Sequence, residues 1–429
     1  MIVRNEASRL EACLRSVAGL VDEVVVIDTG SSDGTPALAE SHGAKVGHVP
    51  WRNDFAGARN ESLAHCTGDW ILVLDADERL DAQGAREIRK ALSDSHAQGF
   101  YLLMRNYHAS GAHLGLHAGA QPNVGGFPGT EHLGFVTEFL ALRLFRRRPD
   151  IRYHGCIHET VEPSFEALGL RPTAIPAVIH HLGKADGDAD RAKQALYFDI
   201  AQAEARQHPG DFRAQFNLMQ EAAMVEAWPT CADAARACLR LDPEPPLRLR
   251  LSGARAFSAV GCPQEALDLL DRPSTPEALP ALRTVKGEVL EGMGRHDEAI
   301  AAFLEAIDRQ PSFTLPFLRL ARLLKGQGEG EAARSILEAG LDQNPKDLLL
   351  WEALVGLSAS SLDLASAARD AWNALAQFPA GGRGLWHQMV VRSLLLQGAV
   401  EEARMVLDRG LAAFPSDEGL RRLKDGLTG

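Results

Sequence analysis

Two carboxylates, Asp75 and Asp77, stand two residues apart directly after the apolar run Trp70-Ile71-Leu72-Val73-Leu74. In an extended segment both can face one cleft while Ala76 faces away. Two hard oxygen ligands that leave positions open for phosphate oxygens suit Mg²⁺ or Mn²⁺. The same pair could instead cap a helix. The second chemistry-bearing run is Ile27-Asp28-Thr29-Gly30-Ser31-Ser32-Asp33-Gly34-Thr35. Asp28, at the end of a buried run, could accept from a base imide or a ribose hydroxyl. The small-residue turn through Ser31 and Asp33 would let a nucleotide approach the backbone. A plain turn in which Ser32 and Asp33 only cap is the alternative. The acidic run Asp186-Gly187-Asp188-Ala189-Asp190 reads as a solvated helix start.

The elements that must hold these residues follow from periodicity. Val24-Val25-Val26-Ile27 and Trp70–Leu74 are unalternating apolar runs and read as buried parallel strands. Helical stretches near 7–18, 36–41 and 56–64 lie between them, and Thr35-Pro36 has the form of an N-cap followed by proline. Strand–helix–strand order predicts a parallel sheet whose ligands sit beyond the strands' carboxyl ends, where Asp28 and Asp75 fall.

From about residue 185 the strand signal stops. Pro311, Pro345 and Pro379 follow one another at 34-residue intervals, and Pro209 lies 34 residues before Pro243. That period is the one of tetratricopeptide repeats. Gly287, Ala299, Phe303, Ala306 and Pro311 take the small, small, aromatic, small and proline positions, and Ala321, Ala333, Leu337, Gly340 and Pro345 repeat them. An aperiodic helical bundle is the alternative. The expected organisation is therefore residues 1–184 as an α/β domain, 185–210 as a linking helix and 211–429 as helical repeats.

Composition excludes some functions. The net charge of the 429 residues is −12, without the basic excess of a nucleic-acid binder. Six scattered cysteines form no C-x-x-C pair, which fits a reducing cytoplasm. No stretch approaches ~18 consecutive apolar residues, so no transmembrane segment is expected. The expected location is the cytoplasm, or the periphery of a membrane reached through a substrate or partner.

The ordered motifs resemble glycosyltransferase family 2, in particular bacterial members fused to tetratricopeptide repeats. The match runs through Ile2-Val3-Arg4-Asn5-Glu6, Val26 to Thr35, Trp51, Asp54-Phe55, Ala58-Arg59-Asn60 and Gly68 to Glu78. It continues through Arg143-Leu144-Phe145-Arg146, Gly155, Ile157-His158-Glu159 and His181-Leu182-Gly183. The resemblance implies a GT-A fold, Rossmann-like with a mostly parallel sheet, followed by an all-α solenoid. It also implies Mn²⁺ or Mg²⁺ and a UDP-sugar donor. Asp28 would contact the uridine, Asp75 the ribose, and Asp77 the metal under the diphosphate. Asp75 and His181 are carried with Asp77 as candidate metal ligands, and Arg59 and Asn60 would lie near the nucleotide. Arg59 could equally be a surface residue, and His181 a satisfied buried histidine.

Inverting displacement of a nucleoside diphosphate needs a carboxylate on the opposite face of the sugar to deprotonate the acceptor. His158-Glu159 stands where related enzymes carry an acidic pair, so Glu159 is the candidate base and His158 its orienting or acceptor-holding neighbour. A strand-end Glu159 paired with Arg143 or Arg152 is the alternative. His108, His113, His117 and His132 fall in a Gly-rich stretch that commonly forms an acceptor-side flap in this fold. Arg146-Arg147-Arg148 reads as a solvated strand end.

Family members usually carry several residues before the segment matching Met1–Glu6, so a short first strand or an upstream extension is expected. A sugar nucleotidyltransferase would need an N-terminal G-x-G-T-R loop, which the sequence lacks. The competing non-enzymatic reading is a repeat scaffold with an impaired transferase domain. The acceptor, whether glycan, peptide or protein, is not legible; the repeats would bind the acceptor or a partner.

Overall fold

The computed structural model describes residues 1–108, 121–124, 126–130, 133–182, 187–360, 364–378 and 383–428. In chain order the first elements are β1 (Ile2–Val3), α1 (Ala7–Ser16), β2 (Val25–Asp28), α2 (Thr35–Ser41), β3 (Lys45–His48), α3 (Phe55–His65), β4 (Trp70–Leu72), β5 (Glu78–Leu80) and α4 (Ala82–Ala91). Then come β6 (Gly99–His108), β7 (Gln121–Pro122), β8 (Phe135–Arg146), α5 (Glu162–Ala167), β9 (Thr173–His181), α6 (Gly187–Gln207), α7 (Phe212–Met224), α8 (Trp228–Leu241), α9 (Leu247–Ala259) and α10 (Pro263–Leu270). By packing the chain forms two compact units: Met1–Asn106 with Glu138–Leu269, and Tyr107–Thr137 with Leu270–Gly429.

In the first unit, β1, β2 and β3 pair in parallel in that order, with a helix in each connection. β2 is buried along its length, which is why its sequence does not alternate. The run at 70–74 departs from expectation. β4 pairs antiparallel with β8, in a second, mixed sheet of order β4-β8-β6-β9-β5 with β7 on β8. An apolar run reports burial on both faces and says nothing about the direction of its neighbours. β1 bonds to β2, and a cavity of about 260 Å³ lined by Met1, Val25, Ile71 and Leu72 lies beside it. Leu102, Met104, Leu144 and Ile179 fill one core layer, and Leu10, Val26 and Ala39 another.

The first helices after the sheets belong to this same compact unit, which runs to Leu269. Helix α6 covers most of the stretch read as a linking helix.

The second unit holds the helical pairs α11 (Leu279–Gly292) with α12 (His296–Arg309), α13 (Thr314–Gly326) with α14 (Gly330–Gln343), α15 (Leu348–Ser360) with α16 (Leu364–Gln377), and α17 (Gly384–Leu396) with α18 (Val400–Ala413); α19 (Glu418–Thr428) follows them. The small residues sit where the repeat needs them. A Cβ on Gly287 would stand 2.5 Å from the Phe303 ring, and Ala299 and Ala306 have no exposed surface. Such contacts admit no extra methyl group without repacking. Gly134 lies so close to the Lys346 carbonyl that a Cβ would approach it to 2.9 Å.

His113, His117, His132, Gly183, Asp186 and Pro379 lie outside the described residues. His108 meets Thr137 Oγ1 at 2.8 Å. Arg146 lies over the Trp70 ring and Arg148 pairs with Asp150, as a solvated strand end would. The six cysteines are free, and among the described residues no helix is long and apolar enough to cross a membrane.

Candidate active site

Asp28 ends β2 and is almost fully buried, at 4 % exposure. Its carboxylate accepts from the backbone N–H groups of Gly30 and Ser31, each at 3.1 Å, and lies 3.4 Å from His48 Nδ1. Burial opposes its charge, but hydrogen bonds from Ser31, Gly30 and His48 prevail and hold it below the usual carboxylate range.

The turn after Asp28 is a bracket. Ser31 Oγ accepts from Asn5 N at 2.9 Å, Thr35 Oγ1 from Glu6 N at 2.8 Å, and Asp33 from Ala7 N at 3.2 Å. These bonds satisfy donors at the start of α1, groups that every helix leaves open. Ser31 and Asp33, expected beside the nucleotide, are thus engaged in fixing α1 to the end of β2.

Asp75 and Asp77 flank buried Ala76 in the turn from β4 to β5, but different partners hold them. Asp75 Oδ1 accepts from Arg59 NH2 at 2.8 Å, and its Oδ2 lies 3.8 Å from Arg143. Burial raises its pKa, and the two guanidinium charges overcome that and place it well below the usual carboxylate range. Arg143 also donates to Glu78 Oε1 at 2.8 Å. Glu78 is 3 % exposed, and burial pushes its carboxyl above the ordinary range despite that partner.

Asp77 Oδ2 instead faces His181 Nε2 at 3.2 Å. β5 and β9 put the two together by register, Glu78 opposite His181. His181 Nδ1 lies 2.7 Å from Asn106 Oδ1 on β6. An amide oxygen accepts only, so Nδ1 carries a proton. Burial lowers the ring's pKa, but the Asp77 carboxylate prevails and raises it, favouring a second proton on Nε2 that donates to Asp77 while no cation is held there. An imidazole nitrogen and a carboxylate oxygen at that distance are joined by a proton or a cation. This donor set fits a divalent ion with two protein ligands and further positions left for diphosphate oxygens and water. Asp75 is not brought into the set, because Arg59 and Arg143 engage its oxygens. Among the described residues no cluster of three His, Cys, Asp or Glu is arranged for metal, and of the three candidate ligands Asp77 and His181 are the two in contact. Neighbouring His180 points away, buried against Asp81 at 3.7 Å, and burial pushes it down to about 4.

Arg59 is a buried residue, 8 % exposed, on α3. Its Nε–H donates to Glu159 Oε1 while NH2 holds Asp75, and Tyr153 lies under the guanidinium at 5.6 Å. Its NH1 is buried without a partner, the kind of orphan found where a water or ligand completes a polar site. Glu159 therefore pairs with Arg59 and not with Arg143 or Arg152. Asn60 turns its side chain to the Tyr153 backbone. It bonds there twice, Nδ2 to the carbonyl at 3.0 Å and Oδ1 from the N–H at 2.8 Å, and so fixes the chain under Arg59. His158 Nε2 meets Glu221 Oε1 on α7 at 2.7 Å.

Sequence reasoning missed Asn106 and Glu221, whose partners are remote in the chain and leave no local pattern. Glu78 and Arg143 were inside the matched motifs, but their mutual pairing was not legible.

Residues 1–147 match the family described as Glycosyl transferase family 2, and residues 290–357 match Tetratricopeptide repeat. A TPR repeat-containing protein of Synechococcus elongatus is 40% identical over 223 residues, covering 49% of this chain and 48% of that protein. An uncharacterized glycosyltransferase of Rickettsia felis is 42% identical over 102 residues, 24% of this chain and 35% of its own. The SPbeta prophage-derived glycosyltransferase SunS of Bacillus subtilis is 27% identical over 161 residues, 37% and 33% respectively. The chain spans about half or less of the length of these relatives. It joins a glycosyl transferase family 2 domain to tetratricopeptide repeats.

Proposed function

We propose that this chain is an inverting glycosyltransferase that moves a sugar from a nucleoside diphosphate, UDP by preference, to an acceptor hydroxyl or amide. The observation that carries the reading is the Asp77–His181 pair, an imidazole nitrogen and a carboxylate oxygen 3.2 Å apart, with the ring oriented by Asn106. When a divalent ion is held there, it neutralises the diphosphate as leaving-group charge develops. Asp28 accepts from the uracil imide, and the ionised Asp75 accepts from a ribose hydroxyl, with Arg59 and Arg143 keeping it charged. Arg59 occupies Glu159 Oε1, which leaves Oε2 to take the acceptor's proton as its oxygen or nitrogen attacks the anomeric carbon. The repeats offer a surface for an acceptor protein or partner.

The test is a thermal-shift comparison of UDP, GDP and TDP, each with Mn²⁺, with Mg²⁺ and with EDTA. Stabilisation by UDP that requires the cation is expected. No shift with any nucleotide would overturn the reading and favour a repeat scaffold with an impaired transferase domain.

A further inference from the structure

The residues Gly155 to Glu159 form a loop closed at its neck, where His154 and Thr160 exchange backbone hydrogen bonds of 2.9 and 3.1 Å. The loop is conformationally demanding. Gly155 has φ +93°, and His158, directly before the candidate base, has φ +48°, a left-handed value that a non-glycine residue rarely adopts. Such a conformation persists only where its surroundings enforce it.

The enforcement comes from helices that follow the sheets. On α7, Arg213, Asn217 and Glu221 recur every four residues and therefore share one face. Asn217 and Glu221 are buried, at 3 % and 5 % exposure. Buried polar groups on a helix are destabilising unless partnered, and the loop supplies their partners. Asn217 Nδ2 donates to the Ile157 carbonyl at 3.3 Å, Arg213 donates to the His158 carbonyl, and Glu221 Oε1 meets His158 Nε2 at 2.7 Å. From α6, Glu204 Oε1 accepts from Cys156 N at 3.0 Å. Ile157 is fully buried against Ile200 and Ala201 of α6. An ordinary repeat helix would bury an apolar stripe where α7 buries this polar one.

We propose that α7 is the positioning frame of the catalytic loop, with Glu221 acting through His158 to aim Glu159 at the acceptor. This rests on the reading of Glu159 as the base. His158 then acts as the link between frame and base: its ring is held by α7 and its backbone carries the left-handed turn. Among the described residues α7 makes no hydrogen bond or ion pair with Asp28, Asp77 or His181, and it reaches Asp75 only through Glu159 and Arg59.

The test uses the full chain and the variants Glu221→Ala, Glu159→Gln and their double, with hydrogen exchange, UDP affinity and UDP release from UDP-glucose and UDP-N-acetylglucosamine in Mn²⁺ as readouts. Glu221→Ala should speed amide exchange across residues 153–161 at least tenfold and leave UDP affinity within twofold. It should lower UDP release roughly 10–100-fold, the scale of a misplaced catalytic group. In the double variant the two losses should not multiply, since both act through one side chain. Glu221→Gln, which retains the acceptor oxygen, should restore most of the rate. Should Glu221→Ala fail to fold, Asn217→Ala in the same cycle removes one loop hydrogen bond and carries the test. Unchanged loop exchange, or losses that multiply in the double variant, would overturn the proposal. Undiminished UDP release in Glu159→Gln is a different result: it removes the base reading, and this inference with it.

Discussion

Arg59 on α3 donates through Nε to Glu159, a residue 100 positions further along the chain, while the same guanidinium holds Asp75. One cation thus ties the candidate ribose carboxylate to the candidate base. Distance between donor and acceptor sites is then set by a single rigid, planar group whose fork matches carboxylate geometry.

Removing that cation should be costly. Arg59→Met leaves the largely buried Glu159 without its cation and the half-buried Asp75 with Arg143 alone, and breaking a buried pair destabilises by at most about 3–5 kcal/mol here. The variant should melt well below the parent and release no measurable UDP from a donor. A melting temperature equal to the parent's would show that the pairing carries no net stability.

The cation site separates two aspartates that lie two residues apart. Asp77→Asn should abolish the Mn²⁺-dependent part of stabilisation by UDP, which at a hundredfold excess over Kd amounts to about 2.7 kcal/mol. Asp75→Asn should weaken UDP binding yet leave its Mn²⁺ dependence in place, because Asp75 faces the arginines. Equal loss of Mn²⁺ dependence in both would return Asp75 to the ligand set.

What could be read from the chain alone divides along the same line. Asp28, Asp75 and Asp77 were legible because each follows a buried strand within a few residues, and Gly287 and Phe303 because the repeat brings identical contacts back after 34 residues. The Arg59–Glu159 pair and the Asn106–His181 bond were not, since neither partner has a local pattern announcing the other. Ser31 and Asp33 show why motif reading leaves alternatives open: the same short polar residues that would suit a nucleotide also suit an open helix start, and they accept from the backbone there.

The base assignment is tested by an isosteric change. Glu159→Gln keeps an acceptor oxygen for Arg59 but cannot take a proton from the acceptor substrate. It should lower kcat by roughly 10²–10⁴-fold with UDP affinity nearly unchanged. Turnover near the parent's would place the base elsewhere.

The last prediction concerns Glu23, which joins the start of β2 to the turn between α3 and β4. It accepts from Lys45 Nζ at 2.6 Å, from Gly68 N at 2.9 Å, from Thr67 Oγ1 at 3.0 Å and from Thr67 N. The Lys45 hydrogen bond, followed by the Thr67 N–H, holds its carboxyl down at about 2, against 4.5 for an ordinary glutamate. A folded-state pKa below the unfolded one means that the unfolded chain takes up the proton first as acid is added. The stabilisation is therefore complete above about pH 4.5 and disappears as pH falls towards 2. Because Lys45 is largely exposed, solvent screening limits the pair's share, and Glu23→Gln should cost about 1 kcal/mol near neutrality. Thermal melts of parent and variant at pH 6 and pH 3 decide the matter. The gap in melting temperature should narrow at pH 3, where the parent has begun to lose what the variant never had. A gap of constant width would mean that the hydrogen bonds, and not the charge, hold the turn.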